Sequence, residues 1–303
     1  MHRYIIKNIG EYVVKISEIT EREDGNAWFR GHGLASYRLI PSVLRDIIPL
    51  SDSRGNSLRG DEPIISSGVT MTGIDPERLL SEFKRQAIHL INEKPRNDFE
   101  WLFLMQHYGV KTRLLDWTTN ALVALYFALE NEPQGMKPSK ESNPSSDFIS
   151  GTHMRDDGAA VYVMNPNKFN HESTEFDHPI DVANYYEHWK HYVRPTEDSR
   201  AMLPICIVAP HSSPRIRAQA GTFTLHGSMT QDIESYDPID RILHKIFIPC
   251  KFISKMKKDL RALGMTKAFI YQDLDSLSED IMKNEKRIYQ SVRHKYLNSL
   301  KGK

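Results

Sequence analysis

Gln106-His107-Tyr108-Gly109-Val110-Lys111-Thr112-Arg113-Leu114-Leu115-Asp116-Trp117-Thr118-Thr119-Asn120 is dense in hydrogen-bonding side chains held between the apolar anchors Leu114, Leu115 and Trp117. A helix beginning near Asn97-Asp98 carries Phe99, Leu102 and Met105 inward and stops at Gly109. A loop follows. A further helix is predicted from Thr118 or Thr119, burying Leu122, Leu125, Phe127 and Ala128. Free amides and hydroxyls at a helix start make a ready anion site. Asp116 or Thr119 as an N-terminal cap accounts for part of this polarity. That plain reading leaves Gln106, His107, Thr112 and Arg113 without a task, although His107 by itself is more often a structural hydrogen bonder than a catalyst.

Two flanking motifs share the character of the first. In Trp28-Phe29-Arg30-Gly31-His32-Gly33 a short aromatic strand delivers an arginine and two glycines. Arginine grips carboxylates and phosphates with a planar fork, and glycine permits close approach of a backbone to a ligand. The structural alternative is an arginine paired with a carboxylate at a turn. In Arg215-Ile216-Arg217-Ala218-Gln219-Ala220-Gly221-Thr222-Phe223 a basic turn leads into a glutamine and an alternating strand. Gln219 alone would be an ordinary loop-to-backbone hydrogen bonder.

Around these motifs the chain reads as α+β. Asp75-Pro76-Glu77 supplies a cap, a proline at the first helical position and an acidic first turn, followed by Leu79, Leu80, Phe83, Ala87, Leu90 and Ile91 at helical spacing. Strands are expected at Ala159 to Met164, Pro204 to Ala209, Thr222 to Leu225 and Lys245 to Pro249. Ser51 to Gly73 and Glu132 to Gly158 lack periodicity and are rich in Ser, Gly, Pro, Asn and charge, so both read as mobile surface loops. From Leu277 onward a long, highly charged amphipathic helix is expected, either solvated or docking a partner. The expected architecture is a single domain over 1–276, with short mixed or antiparallel strands around a ligand cleft and flanking helices, followed by the charged helix over 277–303.

Composition bounds the function. Forty basic against 39 acidic residues leave a net charge of +1, so no global field selects nucleic acid or membrane. The two cysteines, Cys206 and Cys250, make neither a disulfide framework nor a metal-ligand spacing, which fits a reducing cytoplasm. Cys206 sits in the apolar run Ile205-Cys206-Ile207-Val208 and reads as core. Met1 to Gly10 lacks an apolar signal core, and no stretch approaches the length of a membrane span.

On these residues the chain resembles the FRG-domain family: Phe29-Arg30-Gly31, the run from Gln106 to Thr118, Tyr126-Phe127-Ala128, and Arg215 through Phe223. The resemblance spans Trp28 to Leu277 and supplies no activity of its own. A more distant resemblance is to ADP-ribosyltransferases. Arg30 matches their early-strand arginine, and Thr118-Thr119-Asn120 with Ala124 to Ala128 resembles their strand-to-helix segment. Arg217 to Gly221 falls where their late glutamate loop belongs, but Gln219 stands in place of the glutamate.

The second resemblance implies an ADP-ribosyltransferase-like core with NAD as substrate and no metal. The acceptor would be a macromolecule (RNA, DNA or protein), in a bacterial toxin or anti-phage defence effector with an antitoxin-like protein partner. Arg30 would bind the pyrophosphate or ribose, Thr118 and Thr119 would line the nicotinamide pocket, and Asp116 with Gln219 would serve the reacting ribose. Gly31, His107, Thr112, Arg113 and Tyr126 complete the expected binding set. Two alternatives stay open: a binding module recognising a nucleotide or nucleic acid through Arg30, Arg113 and Arg217, and a metal-independent nuclease using His107 and Asp116.

Overall fold

Helices begin where a side chain can accept from their free amides. Asn8 accepts from Glu11 N at the head of α1 (Ile9–Arg22), and Asp75 from Glu77 N and Arg78 N at α2 (Pro76–Ala87). Asn97 accepts from Glu100 N at α3 (Asp98–His107), and Asn120 from Leu122 N and Val123 N at α4 (Ala121–Glu130). Asn120 is therefore the cap that sequence reading assigned to Asp116 or Thr119, and the helix starts two or three residues later than expected. The remaining helices are α5 (Pro166–Thr174), α6 (Tyr186–Trp189), α7 (Pro214–Ala218), α8 (Asp237–Ile242), α9 (Cys250–Ala262), α10 (Lys267–Tyr271) and α11 (Leu274–Lys301).

The strands are β1 (His2–Ile5), β2 (Trp28–His32), β3 (Ile48–Pro49), β4 (Ile65–Ser66), β5 (Val69–Thr72), β6 (Leu114–Thr118), β7 (Gly158–Met164), β8 (Ile205–Ile207), β9 (Gly221–Leu225) and β10 (His244–Pro249). The computed structural model describes residues 1–49, 65–66, 69–131, 133, 136, 148–149, 153–195, 201–210 and 214–301. Most of the two stretches read as mobile loops lies outside these residues. Within the first, β4 and β5 are strands, so the loop reading is corrected there: β5 is Val-Thr-Met-Thr, a β-favouring run that pairs with β3 and β4.

Seven strands form one mixed sheet in the order β1-β10-β7-β2-β6-β9-β8. Only β1 and β10 run parallel; every other neighbour is antiparallel. The strand expected near Ala159 becomes the centre of the sheet, buried at all seven positions. A larger correction is β6, read from sequence as loop. Its five residues carry a single β-branched side chain, and what holds them extended is the ladder to β9 from Leu114↔Leu225 to Thr118↔Gly221.

β2 pairs with β7 along five residues but with β6 at one point, Phe29↔Thr118. The sheet therefore opens between β2 and β6. On one face, two cores flank this opening. Val123, Ala124 and Ala128 of α4 pack with Phe29, Val161 and Ile246 on one side. Phe99, Leu102 and Met105 of α3 pack with Leu114, Phe223 and Leu225 on the other. The opposite face is sealed by Trp28, Leu115, Trp117, Tyr162, Phe169 and Cys206. Cys206 is core, as its apolar run implied, and burial pushes its thiol well up. No helix among the described residues is long and apolar enough to cross a membrane.

Candidate functional site

Between α3 and α4, above the opening of the sheet, lies a cleft of about 290 Å³. Its walls include Phe29, Phe103, Trp117, Phe127, Ile216 and Phe223, and its polar groups are Arg30, Gln106, His107, Thr118, Asp116, Asn131, Arg215 and Gln219. An apolar concavity with a few convergent polar groups is the usual form of a small-molecule site, and this volume lies at the lower end of that class. The three motifs thus meet in one place, as expected from sequence.

Gly31 allows α4 to reach the sheet. A Cβ there would run into the carbonyl oxygen of Ala124 and lie 2.5 Å from the amide nitrogen of Ala128. The close approach that this glycine permits is therefore to α4, although Gly31 also lines the cleft.

Alternation along β2 puts Arg30 on the face opposite Phe29 and Gly31, beside His32. Its guanidinium returns through the opening: Nη1 donates to the main-chain carbonyl of Asp116 and lies 3.7 Å from the Asp116 carboxylate. Its Nε donates to His32 Nε2 at 2.9 Å. Since His32 accepts there, its proton sits on Nδ1, 3.1 Å from the carbonyl oxygen of Tyr37. Burial, reinforced by the charge of Arg30, holds His32 well below the usual histidine range, consistent with a neutral ring.

Asp116 shares one face of β6 with the buried Leu114 and Thr118 and is itself exposed. Gln106 Nε2 donates to both of its carboxylate oxygens at 3.0 Å. Gln106 is fixed in turn, because Thr112 Oγ1 donates to its Oε1 at 2.7 Å and accepts from Leu114 N at 3.0 Å. A chain of hydrogen bonds thus runs from the β6 backbone through Thr112 and Gln106 to a carboxylate at the cleft floor. Thr112, expected to touch ligand, instead orients the group that holds Asp116.

Thr118 Oγ1 donates to the carbonyl of Gln219 at 2.6 Å and ties β6 to the turn after α7. The side-chain amide of Gln219 donates to the carbonyl of Ile270 in α10 at 3.3 Å. His107 lines the cleft half-buried, lowered by burial and by the charge of Arg215. The other expected binding residues lie elsewhere. Arg113 is buried and donates to Gly227 O, Thr119 N donates to Ala220 O, and Tyr126 packs in the α4 core. Among the described residues, no three His, Cys, Asp or Glu side chains gather as a metal set.

Sequence reading left Gln106 without a role and did not place Phe103, Phe127 or His32 at the site. The signals were present: Arg30 and His32 share the period-two face of a strand, and Phe103 and Gln106 share a face of α3 at i, i+3.

Residues 25–137 match the family model of the FRG domain. The match takes in β2, α3, β6 and α4, and with them Arg30, Gln106 and Asp116. The FRG match ends before Arg215 to Phe223, so the cleft wall formed by α7 and β9 lies outside it. No curated protein and no solved structure gave a match.

Proposed function

We propose that the cleft binds NAD and that the protein transfers its ADP-ribose to a macromolecular acceptor. The observation that carries this reading is Asp116: a single carboxylate at the floor of an aromatic-walled cleft, held at both oxygens by Gln106 and flanked by Arg30. In this reaction the bond from ribose C1′ to the nicotinamide nitrogen breaks, and its electron pair leaves with neutral nicotinamide. The ribose becomes oxocarbenium-like until a lone pair on the acceptor attacks C1′ and the acceptor gives up a proton. A carboxylate fixed beside that carbon stabilises the positive charge as it develops, and being already oriented it need not reorganise.

The aromatic side chains Phe103, Phe127 and Phe223 offer flat apolar faces for the nicotinamide ring. Arg30 is occupied by Asp116 and His32, so the phosphates fall to Arg215, which lines the cleft with its guanidinium 4.8 Å from the centroid of the Tyr271 ring. A second, more open hollow of about 540 Å³ adjoins the cleft, sharing Phe103 and His107, and gives an acceptor a route to the reacting carbon. Gln219 positions the turn that Thr118 grips and supplies no charge to the reaction.

One observation favours a second reading, a nucleotide-binding module without turnover. Asp116 is the only carboxylate lining the cleft among the described residues, and a cation lies 3.7 Å from it. The two readings separate on incubation of the purified chain with NAD labelled in its adenylate half, alongside protein, RNA and DNA. The transferase reading expects label to become covalently attached to one acceptor class and lost from it in the Asp116→Asn variant. Reversible NAD binding with no attached label would select the binding module.

A further inference from the structure

The cleft and the adjoining hollow of about 540 Å³ share two lining residues, Phe103 and His107, both on α3. Phe103 is buried and apolar, so His107 is the one titratable side chain common to both among the described residues. It directly follows Gln106, from which both oxygens of Asp116 accept. The same helix end therefore sets both the imidazole and the group that holds the carboxylate.

Transfer needs a proton acceptor, and Asp116 is poorly placed to be one. Its oxygens are taken by Gln106, and the cation of Arg30 lies 3.7 Å away, an arrangement that favours charge over proton uptake. His107 has the opposite surroundings. Its ring meets Tyr108 edge-on with centroids 5.0 Å apart, and neither nitrogen has a hydrogen-bond partner among the described residues. Burial and the charge of Arg215, from α7, hold it below the usual histidine value of 6.5, so at neutral pH the ring is uncharged and keeps an open lone pair.

The lining of the hollow bears on what brings the proton. A nucleic acid is held by cations that replace its counterions. Here Lys94 and Arg96 stand against Glu93 and Glu100, so no net charge is left, and Glu100 accepts from Arg96 at 2.7 Å. Leu90, Ile91, Leu104 and Tyr108 add an apolar surface, of which Leu90 and Tyr108 are exposed. Balanced charge on an apolar surface suits a polypeptide segment better than a phosphate backbone. A base is needed where the nucleophile still carries its proton at neutral pH, as an aliphatic hydroxyl does and a carboxylate does not.

We propose that His107 is the general base of the transfer, taking the proton of a serine or threonine hydroxyl on a polypeptide bound in the hollow; this rests on the transferase reading of the cleft. The hydroxyl oxygen bonds to ribose C1′ as the bond from C1′ to the nicotinamide nitrogen breaks, and that electron pair leaves with nicotinamide. The O–H bond breaks towards His107, and the imidazolium returns the proton to solvent.

The purified full chain tests this with NAD labelled in its adenylate half and total protein, RNA or DNA from a cell extract. Label is expected on protein, resistant to neutral hydroxylamine and located at serine or threonine by mass spectrometry. His107→Gln should bind NAD within a few-fold of the parent and transfer about 10²-fold more slowly, with added imidazole restoring part of the rate. The parent rate should fall as pH drops below 6.5 and the base takes up a proton, and that limb should vanish in the variant. A structural histidine would give neither the rescue nor the lost limb. Label on nucleic acid, or on carboxylate, arginine or cysteine side chains, would overturn the proposal. So would a His107→Gln chain that transfers at the parent rate or keeps the acid limb; if Asp116→Asn then still abolishes transfer, the transferase reading stands without this base. A parent chain that attaches no label to any acceptor would remove both.

Discussion

Arg30 and Asp116 meet across an opening in the sheet, where the Arg30 guanidinium donates to the Asp116 main-chain carbonyl and lies 3.7 Å from its carboxylate. β2 and β6 would otherwise exchange ladder hydrogen bonds there, and the arginine occupies that space instead. The Asp116 side chain is 58% exposed, so the ion pair itself adds little stability. The two hydrogen bonds of the guanidinium, whose side chain is 15% exposed, matter more. Arg30→Lys cannot reproduce both with the geometry of a fork. Urea denaturation should show a loss of about 1–3 kcal/mol. A lysine variant as stable as the parent would remove the guanidinium from its place as the strut of the cleft.

Gly31 makes a sharper structural prediction. Gly31→Ala puts a methyl group into the Ala124 carbonyl and against the backbone of Ala128, where no flexible side chain can give way. The helix α4 must shift, at a cost of about 3 kcal/mol or more. A loss below 1 kcal/mol in thermal or urea unfolding would mean that α4 does not lie on the strand as described.

Thr112→Val separates positioning from binding. It removes the hydroxyl that orients Gln106 and leaves the amide of Leu114 without its acceptor. Stability should fall by about 1–3 kcal/mol. Under the transferase reading, kcat should fall about tenfold while KM for NAD changes little, because Asp116 is loosened and the aromatic walls are untouched. A rise in KM with kcat unchanged would place Thr112 in ligand binding instead.

Much of this site was legible in the sequence because its polar residues sat between apolar anchors at motif spacing. Arg30, Asp116 and Gln219 were drawn together across nearly the whole fold on that ground. The strand that carries Asp116 was not legible. Leu114 to Thr118 mixes the β-favouring Trp117 and Thr118 with Asp116 and two leucines, a weak local signal, and is held extended by its long-range pairing with β9. For the same reason Arg113 and Tyr126 were assigned to ligand: once β6 is a strand and Asn120 the cap, the side chain of Arg113 is committed to the Gly227 carbonyl and that of Tyr126 to the α4 core, while Thr119 bonds the Ala220 carbonyl through its amide and does not line the cleft.

Stability should carry a histidine signature. His226 is fully buried, neither ring nitrogen meets a hydrogen-bond partner among the described residues, and burial lowers its pKa from 6.5 to about 3. The unfolded chain takes up a proton below pH 6.5 that the folded chain refuses until about pH 3, so stability present above pH 6.5 is lost as pH falls through that window. Glu234 acts with the opposite sign. Burial raises it from 4.5 to about 7, so its contribution is present below pH 4.5 and lost as pH rises towards and past 7. The two oppose each other in mild acid. His226→Leu should therefore gain on the parent chain as pH drops from 6.5, by at most about 1.4 kcal/mol per pH unit. Parallel stability curves for the two proteins would show that the ring is not buried neutral.

The central claim is that Asp116 acts on the ribose of NAD bound in the cleft. Nicotinamide release by the purified chain, followed by chromatography with no metal added and paired with NAD binding by calorimetry, tests it most directly. The account predicts steady release by the parent chain, and in Asp116→Asn a fall of about 10²-fold or more with NAD affinity within a few-fold of the parent. Release by the asparagine variant at the rate of the parent would contradict it.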